Sequence, residues 1–565
     1  MRRALMVVAA LSVTSCFNFE QALDDCIAGR FCLDPDGGVS MRDAGVRDAG
    51  TGDSGVLDSG VQGLPVGATC SMDETCATGR CEGGRCAIWA FPIPGVISGS
   101  LVTTPGNLAV LVGSFGRSLD LGAGPLTSTN RWNAFIARRT STGAPEGGPI
   151  IGAPAVSDQA DLTIEAAVVD GTGALVVVGR ASAVGQLGGK TVPRMDNSDV
   201  FAARVDLSTQ TVLWVTGFGG LKNEVSPVVA VDGRGEVYVT GWTQSDLFRV
   251  QGCSACPVDF PIDNPAPAGM FAGPFYSFVA RLDRQSGNPV WVRFLGPSDQ
   301  RGFVGSRAMA FSAIDDSVVV GGSAILDVRV DRDRSDAGLR QLAQVGEDGF
   351  LTKLSAADGT AAWLRVFGGG SNDSVGSLVI DPAGSVYASG LFDSSGAPAM
   401  PPITAFADRL SPFLLKLDKD NTPVWMRLLP AAAPLRERAR NDQPLVGLDD
   451  QIRVVFNPSG GLVLSGCASQ SVSLDGLTFV GVPDGGPPQH FLLPLSTDNV
   501  TSPQKALRFQ ATTRAAVFPA FAPNGNLFLS GVFEGSLTLP LDGGVLDSGD
   551  AGVRAGFAAS LGRWP

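Results

Sequence analysis

Three groups of side chains have the types and spacing for chemistry: a Cys-x-x-Cys pair, one histidine and a run of arginines. Cys253-Ser-Ala-Cys256 has the spacing of a redox dithiol or of half a zinc site. A redox pair opens a helix in a βαβ setting, and Pro257 in a β-rich context supplies none. No second cysteine pair is placed to complete zinc, so Cys253 and Cys256 read as a loop-bracing disulfide. His490 is the sole histidine, directly before Phe491. A general base is one reading of it; a surface histidine at a strand end is the reading adopted. Arg436, Arg438 and Arg440 form a basic island in an acidic chain. They fit contact with an anionic sugar or lipid, or simply a solvated loop. Of three tyrosines, Tyr238 and Tyr387 hold the same place in a repeat and read as packing residues. Asp170, Asp232 and Asp381 precede tight turns, where aspartate bonds its own backbone, so they are not read as calcium ligands. No catalytic, cofactor-binding or metal residue is assigned, and no paired-carboxylate motif stands where the repeat is broken.

Composition narrows the class further. The chain has 565 residues, 73 of them glycine, 17% charged residues and a net charge of −13. Short β runs between Gly, Asp and Pro turns point to an all-β protein. The acidic balance argues against nucleic acid, whose backbone requires clustered Lys and Arg.

Residues 1–15 carry Arg2, Arg3 and an apolar run too short to span a bilayer, as in an export signal. Val13-Thr14-Ser15-Cys16 resembles the bacterial lipobox. That resemblance implies lipidation of Cys16, and Phe17 in place of aspartate leans toward the outer membrane or cell surface of a Gram-negative bacterium. Residues 16–34 then form a lipidated segment in which Cys26 and Cys32 close a small loop, disulfides being the default in an exported chain. Residues 35–67 are a low-complexity Asp/Gly/Ser/Ala linker. They have too little apolar surface to order themselves and span roughly 30 Å as a random coil. In residues 68–86, Cys70, Cys76, Cys81 and Cys86 could bind zinc, but their spacing and the exported context favour disulfides of undetermined connectivity.

From residue 87 to 565 one unit recurs seven times. Its second strand ends on Gly113, Gly179, Gly241, Gly322, Gly390, Gly466 and Gly531. Its third strand opens on Phe135, Phe201, Phe278, Phe350, Phe413, Phe491 and Phe557. Its fourth carries Trp214, Trp291, Trp363 and Trp425. The period is roughly 70 residues, longer than the ~40–45 of familiar four-stranded blades. Four strands repeated seven times point to a seven-bladed β-propeller. The last copy lacks a fourth strand, and residues 87–91 read as an orphan one, so the N-terminal strand is expected to close the last blade. Cys467, after Gly466, is expected to be a buried free thiol.

Val-Asp-Gly-Arg-Gly-Glu-Val-Tyr-Val-Thr-Gly at 231–241, Phe-Val-Ala-Arg-Leu-Asp at 278–283 and Trp-Val-Arg-Phe-Leu-Gly at 291–296 are similar to the bacterial seven-bladed β-propeller repeats called SBBP repeats. The resemblance implies a fold and no chemistry. The stretch from Asp283 to Trp291 also resembles the tryptophan-docking motif of quinoprotein propellers, where the indole packs between blades. No quinone site is recognisable, and the tyrosine, arginine cluster and Asp box of sialidase propellers are missing.

The excess length falls in the second-to-third connections 242–276, 323–349, 391–412, 467–490 and 532–556, with the link 428–450 at the same end. The function expected is non-enzymatic binding or display. A protein or glycan would dock on that long-loop face, 246–274 and 436–440 among the contacts. The chain is expected to be a monomer held to the membrane by its lipid. A polysaccharide hydrolase or lyase and an outer-membrane assembly scaffold are the alternatives. The long loops are expected to contribute little to stability.

Overall fold

The structure is a computed structural model. It describes residues 81–563, except 262–274, 332–339, 394–409, 430–451, 480–488, 499–505 and several shorter stretches. Every described element is a strand, and the sheets form a propeller-like ring.

Each repeat folds as an antiparallel meander. In the third, Glu224–Val231, Val237–Thr243, Tyr276–Leu282 and Pro289–Gly296 pair in that order. The tight turns follow from side chains that replace missing backbone partners. Asp232 Oδ1 accepts from the N–H of Arg234 and of Glu236, both at 2.9 Å, and Gly235 takes the left-handed φ of +85° that the turn demands. Asp170 and Asp381 do the same in their own repeats.

The recurring glycine has a steric cause. In all seven repeats it lies directly opposite the recurring phenylalanine, from Gly113 against Phe135 to Gly531 against Phe557. On its other side the first strand presses in, in five repeats with a bulge at that level. A Cβ on Gly179, Gly322, Gly390 or Gly531 would overlap the carbonyl oxygen of Thr163, Gly305, Ser374 or Ala516. The phenylalanine ring covers the gap that the glycine leaves.

Neighbouring repeats dock through one carbonyl. Trp214 Nε1 and Arg204 Nη1 both donate to Arg284 O, at 2.9 and 2.8 Å. One repeat on, Trp291 Nε1 and Arg281 Nη1 share Ala356 O, both at 2.9 Å. Trp425 and Lys416 share Thr497 O. Three indoles lie on the turn glycine of the next repeat: a Cβ on Gly143, Gly287 or Gly359 would meet Trp89, Trp214 or Trp291 at 2.7, 2.8 or 2.9 Å. Trp89 therefore does for the last repeat what Trp214 and Trp291 do for theirs.

The first strands of the repeats, beginning with Val96–Thr103, Leu162–Val169 and Glu224–Val231, contact one another successively. The cycle is completed by Arg514–Phe521 against Val96–Thr103. The closing strand is Ala90–Pro94, paired with Arg554–Arg563, so it lies three residues beyond the 87–91 expected. Ser560 N–H donates to Trp89 O at 2.8 Å. That parity turns the nitrogens of Pro92 and Pro94 outward, where no donor is needed.

Sheets and repeats do not correspond one to one. Six sheets have four or more strands, and one of eight strands joins the third and fourth repeats. The cause is a device absent from the sequence reading. In the second, third, fourth and seventh repeats the long second-to-third connection folds into a hairpin that pairs with the outer strand of the preceding repeat. Gly185–Leu187 pairs with Ile150–Pro154, Leu247–Gln251 with Thr211–Gly219, and Ser536–Thr538 with Leu507–Ala511. In the fourth repeat the hairpin is a continuation of Ser317–Asp331 and Arg340–Ser355, which merges two sheets. Where they pair in this way, the connections are parts of the sheets. Phe248 and Val250 are fully buried in the core between the second and third repeats. The hairpin Ser118–Asp120/Pro125–Thr127 touches Ala90–Pro94 without pairing to it. The two outward prolines have no N–H to offer it.

Candidate functional site

The end of the ring at which the second strands reach their glycines carries the variable chemistry. The bulges of the first strands fall here, and a bulge re-aims a side chain. Glu165 is the bulged residue of the second repeat and forms an ion pair with Arg180, the residue after Gly179. Arg307 is its counterpart in the fourth repeat; it lies 3.5 Å from Glu347 and over the ring of Trp242 at 5.1 Å. Trp242, which follows Gly241, packs edge-on against Phe303 and Phe275, both half-buried. Exposed Arg131 lies over half-buried Trp132 at 5.7 Å. Arg453, on the first strand of the sixth repeat, lies over Phe518 at 4.3 Å, and burial without a counter-charge holds its pKa down to about 10. Together these give the glycine end a mixture of cations, carboxylates and partly exposed aromatic faces.

The same end holds a pair of carboxyls that sequence reading did not find. Asp199 opens the third strand of the second repeat, and Glu224 opens the first strand of the third. Both are fully buried. Their carboxyls interact with each other across the joint. Desolvation raises Asp199 to about 6 and pushes Glu224 well above its ordinary value. Glu224 Oε1 accepts from Thr243 Oγ1 and Ser245 Oγ, each at 2.7 Å, and Asp199 Oδ2 accepts from Met195 N–H. Twenty-five residues and a repeat boundary separate the two in sequence; the available signal was acid at both Asp199 and Asp348, two residues before the recurring phenylalanine.

The residues singled out from sequence are dispersed. Cys16, Cys26, Cys32, Cys70 and Cys76 lie outside the described residues, as do Arg436, Arg438 and Arg440. Cys81 and Cys86 stand opposite each other in a small hairpin. Cys253 and Cys256 are joined as a disulfide beyond the end of Leu247–Gln251. Cys467 stands opposite His490 in the strand register, its side chain outside the described residues. His490 is not a surface residue: it is 2% exposed, because its strand is covered by the seventh repeat, where it bonds the backbone of Ala515. Burial pushes its pKa down to about 4. Tyr238 and Tyr387 are fully buried against Trp291 and Trp425, with ring centroids 6.2 and 6.1 Å apart. Among the described residues, no three His, Cys, Asp or Glu side chains converge as a metal cluster, and no helix is long and apolar enough to cross a membrane.

No protein-family profile matches the chain, and no curated protein does. Solved structures that resemble it include a europium-containing methanol dehydrogenase, at 10% identity and a TM-score of 0.32 over 83% of this chain and 93% of that one. An apocarotenoid oxygenase of Synechocystis aligns at 10% identity and a TM-score of 0.34 over 84% and 93%. BamB from Moraxella catarrhalis aligns at 13% identity and a TM-score of 0.21 over 65% and 92%. With every TM-score below 0.5, these likenesses assign no function; what stands is an all-β, propeller-like ring whose glycine end carries exposed Arg131 and half-buried Trp132, Phe275 and Phe303.

Proposed function

We propose that the chain is a lipid-anchored, exported seven-bladed propeller with SBBP-type repeats that binds a protein or glycan without chemically altering it. Seven first strands in a closed cycle support the blade count, one eight-stranded sheet being two blades fused by a hairpin. The observation that carries the binding role is the glycine end itself. Arg131 with Trp132 just before Asn133–Arg139, Arg307 over Trp242 beside Phe303 and Phe275, and the Glu165–Arg180 pair offer charge and flat apolar faces at the ends of the strands. Aromatic and arginine side chains are those most enriched where partners dock. The residues suited to acid–base or nucleophilic work are committed elsewhere. His490 and both repeat tyrosines are inside the core, and Asp199 and Glu224 are closed off from solvent. The binding face thus moves from the long loops to the strand ends beneath them.

Capture from the surface of intact cells tests this. Arg131→Ala and Arg307→Ala should each weaken capture of the partner by about tenfold or more, as expected for arginine anchors. Arg234→Ala, at the opposite end, should leave it unchanged. Capture lost with Arg234→Ala and kept with the other two would place the binding face on the short-turn end. For the anchor, Cys16→Ser should move the protein from the membrane to the soluble fraction; unchanged fractionation would refute lipidation.

A further inference from the structure

Asp199 and Glu224 cannot both be ionised where they stand. Each has one oxygen satisfied by N–H or O–H donors: Asp199 Oδ2 by Met195, Glu224 Oε1 by Thr243 and Ser245. Each has one buried oxygen, Asp199 Oδ1 and Glu224 Oε2, that no N–H or O–H reaches. A single proton on Glu224 Oε2, donated to Asp199 Oδ1, satisfies both. Without it two charges face each other without water. The backbone around the pair crosses the same joint: Glu224 N–H donates to Ser198 O at 2.8 Å, and Lys222 N–H to Ser245 Oγ at 3.0 Å. Ser245 then leads into Leu247–Gln251, the hairpin strand that returns to pair with the second repeat. The pair therefore sits at the root of the hairpin that ties the third repeat to the second.

We infer that one shared proton between Asp199 and Glu224 latches this joint, and that its loss releases the Leu247–Gln251 hairpin from the second repeat. The charged groups around the pair are few. Arg194 and Asp196 lie on the segment leading into Asp199, 3.8 Å from each other, and the Lys222–Asp246 pair at 3.1 Å flanks it from the third repeat. All four side chains are at least 30% exposed, so none replaces the proton inside. Two carboxyls are placed in the same way at the joint of the fourth and fifth repeats. Asp373 N–H donates to Glu347 O as Glu224 does to Ser198 O. A Cβ on Gly368 would meet carboxyl oxygens of both Asp348 and Asp373, as one on Gly219 meets those of Asp199.

The sign follows from the raised folded-state pKa values. As pH rises through about 6 the pair passes from two protons to the single shared one, and the latch's contribution is lost as pH rises further, through the raised value of Glu224. Amide hydrogen exchange of residues 224–251 in the full chain, corrected for the intrinsic rate, reads it. Opening in the wild type should rise with pH above neutrality, by up to about tenfold per unit, the slope of one proton. Glu224→Gln supplies an N–H in place of the proton and should flatten that rise and exchange more slowly than wild type at alkaline pH. Asp199→Asn should do likewise and serves if the first variant folds poorly. The two together set amide against amide and should exchange faster than either alone. A pH-independent wild type, or a Glu224→Gln variant that exchanges faster at every pH, would overturn the inference. So would added calcium that slows the wild type at alkaline pH, since the pair would then be a cation site.

Discussion

His490 gives the molecule an acid-side weakness opposite in sign to that of the carboxyl pair. Its folded pKa lies at about 4, below the 6.5 of a free imidazole, because it is buried as the neutral form. Stability from it is present above pH 6.5 and is lost as pH falls toward 4. Relative to His490→Asn, the wild type should lose about 2 kcal/mol between roughly pH 7 and pH 5, read from denaturant midpoints. An equal loss in the variant would assign that acid sensitivity to other groups. The recurring glycines make a second prediction at this scale. Gly322→Ala should cost about 1–3 kcal/mol or more by overpacking, since the new methyl meets the Gly305 carbonyl, which is backbone and cannot swing aside. Gly376→Ala, with open space around it, should be nearly neutral in the same assay. Glycine and phenylalanine were readable because each recurs at a fixed place. The carboxyl pair was not, because its partners belong to different repeats and meet only once register is set. His490 was misplaced because a strand end is exposed only when no neighbouring sheet covers it.

The hairpins change what a connection of this length means. From sequence, the segments 242–276 and 532–556 have glycine, proline and aspartate enough to pass for loops, and loop length alone has little effect on stability. In the structure Leu247–Gln251 and Ser536–Thr538 within them extend the outer edge of the neighbouring sheet, where an uncovered strand would otherwise invite pairing with another chain. Phe248 is the clearest test. It is fully buried and stacks near Phe218 and Phe278, at 6.3 and 4.7 Å between centroids. Phe248→Ala should cost about 3–5 kcal/mol, measured by chemical denaturation, as a large core residue does. A cost below about 0.5 kcal/mol, usual for surface positions, would return this connection to the status of a free loop. The alternation Leu247-Phe248-Arg249-Val250 was visible in the sequence, but a four-residue pattern inside a long irregular stretch does not say which sheet it joins.

For the whole molecule, the ring was readable from the count of repeats and from the missing fourth strand of the last one. The fusion of two sheets was not, because it depends on how far Ser317–Asp331 runs past its own repeat. Closure rests on five residues. Trp89→Ala should cost about 3–5 kcal/mol. Removal of residues 1–95 should lower the cooperative unfolding temperature further, since it strips Ile93 from the core and bares Arg554–Arg563. A truncated chain that melts like the wild type would mean that the ring does not rely on this strand. The closing strand also has a history that the finished ring conceals. Ala90–Pro94 leaves the ribosome long before its partner Arg554–Arg563. At ~5–20 residues per second, the interval between them is roughly 25–90 s. Throughout that time Trp89 and Ile93 have nothing of the last repeat to pack against. Whatever receives the growing chain must keep the closing strand from other company until its partner arrives.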